Sequence, residues 1–317
     1  MLENNLLSII IVNWNAGTQL AEVISSIAQY HHGLVSSVII VDNASTDDSL
    51  AQVETIENLS FQLQIVRNTN NRGFGAACNQ GAALDTSEYL LFLNPDTRLF
   101  ENSLSVPIAF MQDRTNQDVG IVGIQLLDEQ NRIALSCARF PTLEIFAARA
   151  LGVNRLPGLR HLNTHMTDWA HSETRTVDHV IGAFYLIRRS LFNSLGGFDE
   201  RFFVYLEDLD LSLRAHQAGY HSVFLADAQA FHAGGGTSRQ VKARRLFYSL
   251  RSRLFYGFKH FSPWQAWILV MITIGVESVT RTIFSLVGSG LAGVRNTWRA
   301  YGMLLRDMGS ILEKSRH

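Results

Sequence analysis

The sequence predicts an α/β fold: a mixed, mainly parallel sheet flanked by helices, with a helical C-terminal extension. Three observations predict it. The apolar runs of the first 130 residues are continuous, as strands buried on both faces require. Segments with helical apolar spacing separate those runs. Each run stops at a cluster of Asn or Asp, residues that form turns where a chain leaves a sheet.

In chain order, "LLSIIIVNW" (6–14) is the first strand and "TQLAEVISSIAQY" (18–30) the first helix. "SSVIIVDNAS" (36–45) is a second buried run, after which Ser45 or Thr46 caps a helix through about Glu57. "LQIVRN" (63–68) is a third strand, "GFGAACNQGAAL" (73–84) a helix of small residues and "EYLLFL" (88–93) a fourth strand. Pro95 cannot donate to a ladder, so that strand ends at "NPD". "VGIVGIQLLD" and "RIALSCARF" read as a further pair of strands, residues 150–175 as a loop or flap, and "VDHVIGAFYLIRR" (177–189) as one strand. "EDLDLSLRAHQAGY" (207–220) is a helix with acids in its first turn and Gly219 at its end, and "HSVFLADA" (221–228) returns as a strand. The composition then turns helical, dividing the chain into a domain over 1–240 and a helical region over 241–317.

The bulk properties narrow the class. The 317 residues suffice for a large core, and 17% charged residues is below the roughly 25% usual for soluble domains. The two cysteines, Cys78 and Cys137, form no CxxC pair, which fits a reduced cytoplasmic chain and excludes a disulfide scaffold. The short apolar run at the amino end, without a basic region before it, reads as a strand and not a signal peptide. A net charge of −1 conceals a basic block: Arg239, Lys242, Arg244, Arg245, Arg251, Arg253 and Lys259 lie in a stretch, 228–276, that holds no acid. Such a block marks an anionic partner or, more plainly, a solvated helical face. Residues 260–276 are free of charge but short for a membrane span, and Glu277 with Arg281 closes the run. Helices lying on an anionic bilayer surface fit this better than a crossing. A buried hairpin or a contact between copies of the chain is the alternative.

Open α/β sheets bind ligands outside their strand carboxyl ends. Four such ends here are polar: Asn13 and Asn15, Asp42 and Asn43, Asn68 to Asn71, and Asn94 to Asp96. Singly each is turn chemistry; together on one edge they form a polar crevice. Gly73 and Gly75 imitate a dinucleotide fingerprint, but Cys78 stands at the third glycine and the segment follows the wrong strand. Glu207, Asp208 and Asp210 form a second cluster, which is either ordinary helix N-terminal acid placement or a functional carboxylate set. His232 with Asp96 would suit a divalent metal at the same edge.

In this order "SIIIVNWN", "VDNASTD", "NRGFGAACNQG", "FLNPD", "GAFYLIRRSLFNSLGGFDERFFVYLEDLDLSLRAHQAGY" and "FHAGG" resemble the inverting family 2 glycosyltransferases of GT-A fold, nearest the rhamnosyltransferase-like branch. The resemblance runs from about Ser8 to Gly236. It implies that Asn13, Asn15 and Asp42 contact the donor's nucleoside, and that Asn71 and Gly73 line the donor crevice. Asn94 and Asp96 would stand at the family's Asp-x-Asp, with Asp96 and His232 holding Mg²⁺ or Mn²⁺. Asp208 would be the catalytic base, with Glu207 beside it towards the acceptor. Asn94 departs from the pattern by replacing a carboxylate with an amide. The implied activity moves a sugar, best L-rhamnose from dTDP-rhamnose, to a polyprenyl-diphosphate-linked saccharide of bacterial surface polysaccharide. Another hexose or galactofuranose from a UDP- or GDP-sugar is the alternative donor, and a non-catalytic sugar-nucleotide-binding protein the alternative class. The implied setting is cytoplasmic, at the inner face of the membrane. Nothing implies a nucleic-acid partner.

Overall fold

The computed structural model describes residues 6–31, 33–156, 158–234 and 242–315. They form two compact units, one of Met1–Ala138, Trp169–Glu200 and Asp208–Thr237, the other of Arg139–Asp168, Arg201–Glu207 and Ser238–His317. Arg239 of the basic block and Gly236 lie outside the described residues.

The first unit opens with β1 (Leu7–Asn13), α1 (Gln19–Tyr30), β2 (Val35–Asp42), α2 (Ser49–Glu54), β3 (Gln62–Arg67), α3 (Phe74–Ala82) and β4 (Tyr89–Leu93). β1 pairs in parallel with both β2 and β4, and β2 with β3. β1 is buried along its whole length, which is why it carries no alternation. Leu20, Val23, Ile24 and Ile27 give α1 an apolar stripe that is fully buried in the core on that face. On α3 the small residues have a packing role: a Cβ at Gly81 would meet Ile10 Cγ2 at 2.7 Å. Gly81 therefore serves close helix–sheet approach.

After β5 (Thr97–Leu99) and α4 (Ser105–Gln112) come β6 (Val119–Leu127), the two-residue β7 (Cys137–Ala138) and α5 (Leu143–Leu151). Next are β8 (Arg175–Val177), β9 (His179–Val180), β10 (Phe184–Arg188), α6 (Arg189–Ser194), α7 (Glu207–Gln217) and β11 (His221–His232). Among the described residues the large sheet has nine strands, ordered β3-β2-β1-β4-β10-β6-β11-β5 with β8 on β11, and β7 pairs with β9 apart from it. β10 runs antiparallel to both β4 and β6, and β11 runs parallel to β6. The carboxyl ends of β1, β2, β4, β6 and β11 thus share one edge with the start of β10.

Three expectations need correction. The helix after β2 starts at Ser49, because Ser45 and Thr46 bond to residues following β1 instead of capping it. "RIALSCARF" contributes only β7 to a sheet: Ile133 makes one isolated bridge to Leu127, and the chain then leaves β6 so that Cys137 and Ala138 pair with β9. Residues 177–189 are not one strand: the chain leaves the large sheet after β8 at Val177, pairs with β7 as β9, and re-enters the large sheet at Phe184.

The second unit holds α5, α8 (Lys242–His260), α9 (Pro263–Met271), a π-turn over Ile272–Val276 and α10 (Glu277–Lys314). Its polar centre is buried. Glu277 accepts from the Arg253 guanidinium and, as its i,i+4 spacing predicts, from Arg281 Nε at 2.8 Å. The Arg253 guanidinium also lies 5.2 Å from the centre of the Phe146 ring. Thr280 Oγ1 donates to Ala150 O at 2.6 Å, tying α10 to the end of α5.

Candidate active site

Three constellations stand on the carboxyl edge. The first joins β1 to β2. Asn13 and Asp42 are opposite in register, and Asn13 Nδ2 donates to Asp42 Oδ1 at 2.7 Å and to Ser49 Oγ at 2.9 Å. Asp42 Oδ2 accepts from Ser45 N at 3.2 Å, and both Asn13 and Asp42 are buried. Asn15 takes a left-handed φ of 53°, which Asn tolerates, and its Oδ1 accepts from Thr46 N at 2.7 Å. The second lies between β3 and α3, where Asn71 Oδ1 accepts from Gly73 N at 2.9 Å in an Asx turn. Gly73 precedes α3 with φ 89°, a backbone state that suits glycine, and its carbonyl accepts from Asn43 Nδ2 at 3.0 Å.

The third constellation follows β4. The β5–β11 pairing sets Thr97 opposite His232, so that Asp96 Oδ1 lies 3.3 Å from His232 Nε2. Asn94 Nδ2 stands 3.5 Å from the same nitrogen, and both the Asp96 and His232 side chains are nearly buried. His232 is the last residue of β11, one strand residue in place of the loop position expected from the sequence. Among the described residues no three His, Cys, Asp or Glu side chains converge as a metal cluster. The Asp96 carboxylate, His232 imidazole and Asn94 amide make a mixed oxygen and nitrogen donor set, which fits a divalent cation that takes its remaining ligands from oxygen.

Asp208 is brought to this edge by the backbone. Asn94 N donates to Ala183 O at 3.0 Å, and the preceding Gly182 N donates to Asp208 Oδ2 at 2.8 Å. Two adjacent residues at the entry to β10 thus hold Asn94 on one side and Asp208 on the other. The space is exact enough to need glycine: a Cβ at 182 would lie 3.0 Å from Asp208 Oδ2. Burial favours the protonated acid at Asp208, but the His179 imidazole and the N–H groups of Gly182 and Leu209 outweigh it and hold the carboxyl below its usual range. The side chain retains 19% exposure, so a ligand can still reach it.

Sequence reasoning missed His179. It is buried, its Nε2 lies 3.5 Å from Asp208 Oδ2, and its Nδ1 is 2.9 Å from Ser212 Oγ. Ser212 Oγ in turn is 2.9 Å from Tyr185 OH. The signal was present in "DHVIGAF", where a lone Gly inside a strand-like run marks close backbone approach. Asp210 is spent structurally, on a 2.8 Å pair with Arg214. Glu207 falls in the second unit, where it is buried. It follows Tyr205 and Leu206, whose φ angles of 71° and 66° are uncommon for large side chains. Such backbone states persist only where surrounding structure enforces them.

Fold and edge together define a glycosyltransferase of GT-A fold. The model of glycosyl transferase family 2 matches residues 8–196, and the chain belongs to that family. It is 25% identical over 277 residues to the N-acetylglucosaminyl-diphospho-decaprenol L-rhamnosyltransferase of Mycobacterium tuberculosis, covering 83% of this chain and 87% of the relative. The O-antigen chain rhamnosyltransferase WbaN of Salmonella anatum is 26% identical over 74% of this chain and 68% of its own. Among solved structures, mannosyltransferase PcManGT from Pyrobaculum calidifontis, in complex with GDP-Man and Mn²⁺, superposes with a TM-score of 0.54 at 17% identity. That match covers 94% of this chain and 80% of the mannosyltransferase.

Proposed function

We propose that the protein transfers L-rhamnose from dTDP-rhamnose, with inversion, to a hydroxyl of a polyprenyl-diphosphate-linked saccharide in bacterial surface polysaccharide synthesis. The single observation that carries the chemistry is the Gly182–Ala183 bracket, which supports Asp208 and Asn94 from adjacent peptide units. The sugar and acceptor rest on the relatives, one of which is named for rhamnosyl transfer to a diphospho-decaprenol saccharide. Donor binding and catalysis belong to 1–240, and the helical region is 241–317.

Asn13, Asn15 and Asp42 would take the nucleoside, with the half-buried Asn15 at the surface of the crevice and the buried Asn13–Asp42 pair behind it. Asn71 and Gly73 line the path to the diphosphate, and Asn94 lies beside it. Asp96, His232 and the Asn94 amide would hold Mg²⁺ or Mn²⁺, which when bound offsets negative charge on the diphosphate as a Lewis acid. Asp208, ionised at neutral pH, accepts the proton of the acceptor hydroxyl as that oxygen attacks the anomeric carbon and the bond to the diphosphate oxygen breaks. One base and no enzyme nucleophile give inversion. Glu207, the preceding residue in the chain, is assigned to the acceptor side. The setting is cytoplasmic, at an anionic inner membrane face; self-association through the C-terminal helices is the competing reading of the tail.

The test is a screen of dTDP-, UDP- and GDP-sugars with a lipid-linked acceptor, each with and without chelator. Transfer from dTDP-rhamnose in wild type, reduced about 10²- to 10⁴-fold in Asp208→Asn, is expected. Wild-type turnover in that variant would remove the assignment, and turnover only with another sugar would replace the donor.

A further inference from the structure

The last helix is long and apolar enough to satisfy the length and composition test for a membrane span, counted from Pro263 to Lys314. Its far part is not one straight helix. At Gly290 the backbone leaves the helix (φ 61°, ψ −157°). Ser285 Oγ and Thr297 Oγ1 then lie 3.1 Å apart, whereas twelve residues of straight helix would separate them by roughly 18 Å. A Cβ at Gly293 would meet Ser285 Cβ at 3.2 Å. The chain therefore doubles back, with small residues Ser285, Ser289 and Gly293 letting the two arms touch.

The tip of this hairpin is apolar and bare. Ile283, Phe284, Leu286, Val287 and Leu291 are exposed, Val287 and Leu291 by 84% and 80%. Thr282 to Val294 contains no charged residue. Soluble monomers rarely leave large side chains clustered in water this way. The feet of the hairpin have the opposite chemistry. Arg295 and Arg299 are exposed on the returning arm with Trp298 between them, and the Arg155 guanidinium lies 4.7 Å from the centre of the Phe284 ring. No acid occurs from Ser278 to Arg306. An apolar end, a Trp at its base and a collar of arginines match the layers of an anionic bilayer: acyl chains, interface and headgroup phosphates.

We propose that residues 283–291 insert into the headgroup–acyl boundary of a membrane containing anionic phospholipid, with Arg155, Arg295 and Arg299 on the phosphates. The longer charge-free arm, 282–289, reaches only about 12 Å, against a hydrocarbon core of about 30 Å. The tip alone is thus too short to cross and reaches one leaflet, while the helix before it is tied into the second unit by the buried Glu277–Arg253 pair. The anchor's purpose rests on the lipid-linked acceptor proposed above, but its detection does not.

The experiment uses the full chain with Val287→Cys carrying an environment-sensitive nitrobenzoxadiazole label, since Cys78 and Cys137 are both buried. Vesicles of phosphatidylcholine with 30% phosphatidylglycerol (a chosen probe composition of about that proportion) should shift the label's emission to the blue, and doxyl lipids should quench it. Val287→Asp combined with Leu291→Asp should weaken vesicle sedimentation at least tenfold, while turnover of a short-chain soluble acceptor and the circular dichroism spectrum stay as in wild type. A water-like label on vesicle-bound protein, or equal sedimentation of the double variant, would overturn the proposal. So would light scattering showing a dimer that the double variant dissociates, because the tip would then be covered by a second copy. Absence of turnover with normal vesicle binding would instead strike the transferase reading alone.

Discussion

His179 Nε2 stands 3.5 Å from Asp208 Oδ2, and the same ring's Nδ1 stands 2.9 Å from the Ser212 hydroxyl. The imidazole is therefore fixed at both nitrogens, with a carboxylate on one side and a hydroxyl on the other. Because the depressed carboxyl of Asp208 owes part of its position to this ring, the pair sets the pH at which the proposed base is usable. The carboxylate is the active form above its lowered value and is lost as pH falls through it. The same sign applies to stability: the contribution of ionised Asp208 is present above the ordinary carboxylate range and fades as the folded-state group protonates. In His179→Phe the acid limb of kcat/KM is expected to move to higher pH while donor KM holds. An unmoved limb in a folded variant would leave His179 a packing residue only.

Gly182→Ala places a methyl 3.0 Å from Asp208 Oδ2. Overpacking of this kind costs about 1–3 kcal/mol, and the carboxylate is the neighbour that must give. The expected result is a lower kcat with an unchanged Kd for dTDP, since Asn13 and Asp42, proposed to take the nucleoside, lie on other strands. Calorimetry with dTDP alongside initial rates separates the two; equal loss of both would mean the edge as a whole had shifted.

Asn94→Asp adds a carboxylate beside Asp96 and His232. If a divalent cation is held there, the concentration of Mn²⁺ giving half-maximal rate should fall and chelator should act more slowly. His232→Ala should raise that concentration. A rate indifferent to chelator in wild type and both variants would place the diphosphate's charge compensation on protein groups alone.

Glu277 is the buried acid between Arg253 and Arg281. Glu277→Ala leaves the buried Arg253 guanidinium without its carboxylate, a change that typically costs about 3–5 kcal/mol. Thermal unfolding of the variant should show a lower Tm for the helical region. Replacing Glu277 and Arg253 together by apolar residues should restore much of the loss, which a mere cavity would not allow.

The centre of the parallel half of the sheet was legible because β1, β2 and β4 are buried on both faces. Leu6 to Val12 and Val38 to Val41 must be apolar at nearly every position, and the first polar residues after them mark the edge. Asn13, Asp42, Asn94 and Asp96 were found that way, from three strand ends. The segment 177–189 was not legible. His179 and Gly182 sit in an apolar run whose pattern reports burial but not what lies opposite, and their partners come from α7, about thirty residues away.

By itself, then, the sequence determined which strand ends are polar, the family to which those ends belong, and which residues are candidates to bind a diphosphate and accept a proton. Only the tertiary structure decided which of them meet. Asn94 and His232 are 138 positions apart and are neighbours because β5 pairs with β11. Against its burial, the Asp208 carboxyl is held below its usual range by a ring from β9 and two peptide N–H groups. The end of the apolar tail became a hairpin through one backbone reversal at Gly290. Local patterning encodes which side of an element faces inward; distance between remote residues is set by how the elements pack, and the chemistry depends on that distance.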